Sequence, residues 1–511
     1  MEDRHPSVRR APGVALVLVL VWSFVGVGML QGATLRPGPS RLREKGRLLA
    51  ERFARESRAE VARRERGGVQ EADRKPPQVG DEESFFLDKD DTGTKTPIPA
   101  VLRLIGRRCY VYVEKGQEVD RAKVTAVAKA FDESVYPLCT VWFGSEWTPG
   151  IDGDPRITLL LVDGLASCDG YFDPEDEYTR EKCPTSNERE MVVLAISRLE
   201  DMADFTADLL AHEFQHMIHW SHDPREATWV DEACSMYAGS LYRHFPFTVE
   251  FFLKNPQRCL IDWDDTVEWS HYGNVYLFMN HLVRAAATDE AGRRRLVRAV
   301  VASRRTSIGG ITEALQQGGV PLTFNEVFRT FAAALHLGAS LEGPAGTLGF
   351  DPHVAKGLAA SKNSPLKPMR SFPSPLGKVK GRTKMWSAGA VRFRLPATPR
   401  PVCVSFAGRS FEGKRGRNFF DVGLLFVDRQ GKLAPQVSWM TLRDNAGETE
   451  AEVPAGGYDD LLVVIAHRGP LSMPANEKKW PTVPFQLDVR PAGASPDADA
   501  VRRFEELHQE P

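Results

Sequence analysis

Histidine is scarce in this 511-residue chain, yet four of its 12 histidines fall within residues 212–222: His212, His216, His219 and His222. His212 and His216 stand one helical turn apart, so on a helix both imidazoles lie on one face and can share a divalent metal ion. Glu213 follows His212 directly, where a carboxylate can take the proton of a metal-bound water. Leu209, Leu210, Phe214, Met217 and Ile218 repeat at helical spacing. Neither Gly nor Pro interrupts residues 205–223, and Pro224 marks the limit of the helix. The pattern predicts a metal-bearing helix; the bland alternative is a helix that carries histidines on a solvated face.

Two residues compete as third ligand. Glu232, in Trp229-Val230-Asp231-Glu232, brings a carboxylate from a second helix and completes a His2Glu set with a position open for water. His222 instead completes a three-histidine spacing in which a glycine makes a sharp turn. His219 occupies that glycine position, and histidine enters the left-handed region far less readily than glycine. The expected set is therefore His212, His216 and Glu232, with His222 as the alternative third ligand. Zn2+ is the ion such a set is expected to hold.

Residues 212–238, with His-Glu-Phe-Gln-His followed by Trp-x-x-Glu, resemble bacterial secreted gluzincin-type metallopeptidases of the hyicolysin-like sort. The likeness extends through residues 108–114, 152–158, 170–172 and 186–191 to His271-Tyr272-Gly273, covering residues 97–338. It implies zinc-dependent hydrolysis of a protein or peptide substrate, with His212, His216 and Glu232 as ligands and Glu213 as general base. Tyr272, then His271, are candidate donors to the oxyanion; Tyr272 and Tyr276 also fit as packing residues one helical turn apart. Asp231 or Asp223 is expected to accept the outer N–H of a ligand histidine. Such relatives usually carry Gly after the ligand glutamate and an acid four positions beyond it, whereas this chain has Ala233 and Met236. That departure supports a second reading, a degenerate domain that holds metal without turnover and serves as a surface-binding or structural protein.

Other chemistries lack residues. A net charge of −2 argues against a polyanion partner. No Gly-rich phosphate loop, Gly-x-Ser-x-Gly elbow or basic stripe with interleaved aromatics is present, so no nucleic-acid partner is expected. The Asp88–Gly93 run begins like a calcium loop but meets Pro99 where a bidentate Glu is required, and a turn is expected instead. Asp262, Asp264 and Asp265 read as a turn as well.

The elements that must position the site follow from pattern. An apolar stretch over residues 13–30 behind Arg9 and Arg10 predicts a signal peptide or membrane anchor (residues 1–33), and hence a secreted or cell-envelope location. Residues 34–84, rich in Arg and Glu, read as a charged stalk. Residues 85–345 are expected to form an α+β zincin-like metallopeptidase domain. Its strands near residues 109–114, 156–162 and 190–196 form a mixed sheet, with a helix over residues 120–136, the active-site helix and a helical C-terminal subdomain. Residues 346–380 read as a linker, residues 381–492 as an all-β sandwich and residues 493–511 as a loose tail. Among seven cysteines, Cys168 with Cys183 is the expected disulfide and Cys234 with Cys259 the second choice.

Overall fold

The computed structural model describes residues 40–64, 76–200, 203–243, 245–263, 268–338, 348–410, 412–413, 416–469 and 482–494. No helix among these residues is long and apolar enough to cross a membrane. The expected anchor is corrected on that finding; its segment, residues 13–30, lies outside the described residues, as does the tail from residue 495.

A six-stranded sheet carries the first half of the chain. β1 (Glu82–Leu87), β2 (Thr96–Ile105) and β3 (Cys109–Glu114) run antiparallel; β4 (Ile157–Val162) and β6 (Met191–Ala195) continue parallel to β3. The two-residue β5 (Gly170–Tyr171) closes the far edge antiparallel to β6. β4 and β6 are buried along their whole length, as central parallel strands covered on both faces must be. Alternation divides their side chains. Leu159, Leu161, Val192 and Leu194 pack under helices, while Leu160 and Val193 meet Phe85, Tyr112 and Tyr171 opposite.

Asp120 caps α2 (Arg121–Ala130) by accepting from the Ala122 N–H. That helix outruns its expected end. It passes through a π-helical turn at Phe131–Val135 into α3 (Tyr136–Phe143), where Pro137 sits in the first turn and removes one N–H donor. Gly144 stops it at a φ of 106°.

α4 (Ala203–His222) and α5 (Thr228–Ser240) pack against each other under the sheet. A helical layer follows: α6 (Thr248–Lys254), α7 (Glu268–Ala286), α8 (Glu290–Ala302), α9 (Ile308–Gln317) and α10 (Phe324–Leu337). α10 opens on a Thr323–Glu326 capping box and ends at Gly338, φ 66°.

The expected linker is not one. Residues 352–360 form α11 (Pro352–Ala360), and two strands follow, β7 (Arg370–Phe372) and β8 (Gly377–Lys384). Both are sheet edges, where lysine and arginine guard an unpaired backbone, and prolines lie in the connections beside them; this explains why the segment's composition reads as a spacer. The remaining strands are β9 (Ser387–Arg394), β10 (Val402–Gly408), the short hairpin β11 (Glu412–Gly413) and β12 (Gly416–Arg417), β13 (Phe419–Val427), β14 (Gln436–Trp439), β15 (Ala446–Ala451), β16 (Asp460–Arg468) and β17 (Thr482–Pro491). Sheets ordered β15-β10-β17-β8 and β14-β13-β16-β9-β7 face each other across a core of Phe393, Phe406, Val422, Val463 and Leu487. β16 is apolar on both faces. Its outward Leu462, Val464 and Ala466 join Trp386 in the core of the helical layer, where Trp386 meets Phe328 at 5.2 Å. The sandwich is therefore fused to the first unit through a shared core.

Two more expectations are corrected. The charged stalk contains α1 (Ser40–Arg64), which docks on the first unit through buried Leu42, Ala50 and Phe53. All seven cysteines are free and buried. Cys168 packs with Leu165 and Tyr171, Cys183 with Phe53 and Tyr178, so the pair expected to bridge lies in two separate apolar clusters.

Burial also fixes an acid limit. His281, His336 and His467 are held down at about 4 by desolvation, against about 6.5 in an unfolded chain. Between those values the unfolded state binds more protons. The contribution of these histidines is thus full above about pH 6.5 and is lost as pH falls toward 4, by up to about 1.4 kcal/mol per pH unit for each histidine. On going from pH 7 to pH 5 the urea midpoint of the native chain should lose more, relative to any change in His281→Gln, because the amide can reproduce the bonds to Gly349 O and Thr330 Oγ1 without taking up a proton. Identical pH dependence of the two midpoints over that window would contradict this account.

Candidate metal centre

α4 is buried almost throughout its second half because it lies between the sheet and α5. Phe214 sits edge-on to Phe131 at 5.2 Å and stacks on Tyr136 at 5.4 Å, which fixes the rotation of the helix. With that face pinned, His212 and His216 point toward α5, from which Glu232 comes to meet them. The Nε2 atoms of His212 and His216 are 3.1 Å apart, and each stands 3.4 Å from Glu232 Oε2. These three residues form the group that could hold a metal ion among the described residues. Ligand atoms on a tetrahedron with bonds of about 2.0–2.1 Å stand about 3.4 Å apart, so the triangle has the size a zinc-like ion requires.

Charge tells the same story. Glu213, Asp231 and Glu232 carry three carboxylates, with side-chain exposures of 0, 14 and 0 %, and the guanidinium beside them belongs to Arg43. With neutral histidines the cluster is two positive charges short, the charge of a divalent ion, and buried charge is costly unless balanced. Burial and Arg43 both disfavour a proton on His216, but Asp231 and Glu232 outweigh them and hold it at about 9. Burial alone would raise Glu232, yet His216 and His212 bring it down to about 2. A carboxylate so held is ionised and ready to ligate at any ordinary pH.

Asp231 organises the surroundings. One oxygen is 3.0 Å from His216 Nδ1 and the other 3.2 Å from His219 Nδ1. It thereby directs the His216 Nε2 lone pair at the ligand triangle. Ser235, 2.9 Å from the same Nδ1, donates to Gln215. His212 lacks such help: its buried Nδ1 has no hydrogen-bond partner among the described residues. Met236, where an acid was looked for, is buried nearby in the apolar core.

Glu213 Oε2 accepts from the Phe172 N–H at 3.0 Å and from Arg43 Nη2 at 3.3 Å. Tyr272 reaches the cluster from α7, its hydroxyl 3.4 Å from Glu232 Oε1. His271 is buried against the Trp263 ring, 5.4 Å between centroids. His222 lies at the exposed end of α4 with its Nε2 beside Gly144, and is not part of the ligand group. Asp223 is buried after α4, and its N–H closes the helix on His219 O. The Asp88 run is a turn, with Asp88 accepting from Thr92 and Gly93 N–H. Sequence reasoning missed Arg43 altogether. Its only signal was position, an arginine directly after Leu42 on α1.

No protein-family model matches the chain, and no curated protein matches it. Among solved structures, one similar chain is a family GH115 4-O-methyl-α-glucuronidase with specificity for decorated arabinogalactans. It shows 10 % identity and a TM-score of 0.15 over 67 % of this chain and 52 % of that one. This chain thus spans about half that enzyme's length, and a likeness of this size carries no argument about fold or activity.

Proposed function

We propose that this chain is a zinc-dependent peptidase, with His212, His216 and Glu232 as ligands and Glu213 as general base. The observation that carries the reading is the convergence of the three ligand atoms within 3.1–3.4 Å of one another, beside a carboxylate on the same helix. Zinc supplies Lewis-acid activation of a water and of the substrate carbonyl. The protein's own groups do the rest. Glu213 accepts the water's proton and passes it to the leaving amine, its Oε2 steadied by the Phe172 N–H. Tyr272, at the Glu232 carboxylate, is the donor to the oxyanion. β5 forms the sheet edge immediately before Phe172, and an extended substrate can pair with such an edge beside the metal group.

The reading is tested by metal removal. Purified protein should contain one equivalent of zinc and cleave an unfolded protein; a chelator should abolish cleavage, and added zinc should restore it. A second reading, a metal-holding domain without turnover, is favoured by the partnerless Nδ1 of His212. Zinc-loaded protein that cleaves no member of a diverse peptide library even with α1 displaced would establish it.

A further inference from the structure

We infer that α1 is an intramolecular inhibitor whose Arg43 shuts the candidate active site, an inference that rests on the peptidase reading above. Arg43 is buried and reaches the carboxylates the reaction would use: Nη2 to Glu213 Oε2 at 3.3 Å, and Nε to Asp231 at 3.6 Å and Glu232 at 3.7 Å. Its Nη1 donates to Phe172 O at 2.9 Å. That one side chain occupies both positions a substrate needs. Arg43 adds a second N–H to the Glu213 oxygen that Phe172 already steadies, and it takes the backbone carbonyl next to the sheet edge.

The seat is built, with contacts on either side of the arginine. Arg41 pairs with Asp88 at 2.9 Å, and Leu42 enters the cluster formed by Phe85, Leu165 and Tyr171. Gly46 lies so close to Pro174 that a Cβ there would stand 2.7 Å from the proline ring. Helix and site are held in register by surface fit as well as by charge. The charge count fits a closed state that retains its metal: a divalent ion and Arg43 together neutralise Glu213, Asp231 and Glu232. Displacing α1 leaves the ligands untouched, removes the Arg43 contact from Glu213 and frees the Phe172 carbonyl next to β5.

The experiment compares the full zinc-loaded chain with Arg43→Ala and Gly46→Leu. Gly46→Leu expels α1 by collision with Pro174 and alters no group of the site. Two quantities are read: affinity for a peptide hydroxamate, which reports access to the metal, and hydrolysis of an unfolded protein. Both variants should bind the hydroxamate more tightly by about 10- to 100-fold, the factor carried by one hydrogen-bonded charge contact, with hydrolysis rising in parallel. Circular dichroism and zinc content confirm that each variant is folded and loaded. Hydroxamate affinity and hydrolysis both equal to wild type in two folded variants would overturn the latch. Tighter hydroxamate binding with no hydrolysis in any variant would uphold the latch and remove the peptidase reading.

Discussion

Glu213→Gln is expected to retain one equivalent of zinc while lowering hydrolysis of an unfolded protein by about 10²- to 10⁴-fold, the usual contribution of a positioned general base. The amide keeps the shape of the carboxylate, and its oxygen can still accept the Phe172 N–H. Glu213 is not among the three ligands, so the metal triangle is undisturbed. Arg43 keeps Asp231 and Glu232 as counter-charges, which limits the cost to folding. What the amide loses is the capacity to take a proton. The comparison belongs on the native chain and on the Gly46→Leu parent, so that release of α1 and loss of the base are read separately. Zinc retained with turnover unchanged would remove Glu213 from the mechanism; zinc lost would make it a structural support of the site instead.

The helix α4 was legible because its signals are local: a His-Glu-x-x-His spacing, apolar residues at helical period and an uninterrupted run. Glu232 was legible for a related reason, lying on the next helix within twenty residues. Asp231 was one of two candidates for orienting a histidine, and only the packing of α5 on α4 shows which oxygen meets which nitrogen. Arg43 was not legible. It is 170 residues from Glu213 in the chain, and Arg41, Glu44, Lys45 and Arg47 around it are charged, so composition suggested a solvated stalk. The same bias hid β7 and β8: edge strands use lysine and arginine to discourage foreign pairing, and with prolines in the connections that composition resembles a spacer. The fused sandwich core was missed because β16 is apolar on both faces, which from sequence alone is compatible with any buried strand. The cysteines misled through an assumption about redox environment, whereas the structure uses all seven as small buried apolar groups.

Replacing Glu232 and His222 separately by alanine should give opposite results, and this pair decides the ligand set. Glu232→Ala removes one of three converging donors. If a zinc site of about 10–16 kcal/mol is shared over its ligands, the loss is on the order of 10³-fold in affinity. The empty position also leaves His212 and His216 facing each other at 3.1 Å without the carboxylate that stands 3.4 Å from both. His222→Ala should leave zinc affinity unchanged, because that ring lies at the exposed end of α4 against Gly144. For His222 to ligate, the end of α4 would have to unwind, giving up the Asp223 N–H bond to His219 O at 2.8 Å. His219 would also have to leave Asp231, its partner at 3.2 Å. Titration of zinc against a competing chelator measures both variants on one scale. Tight binding lost only in His222→Ala would require that rearrangement and would replace the two-helix site with a three-histidine one.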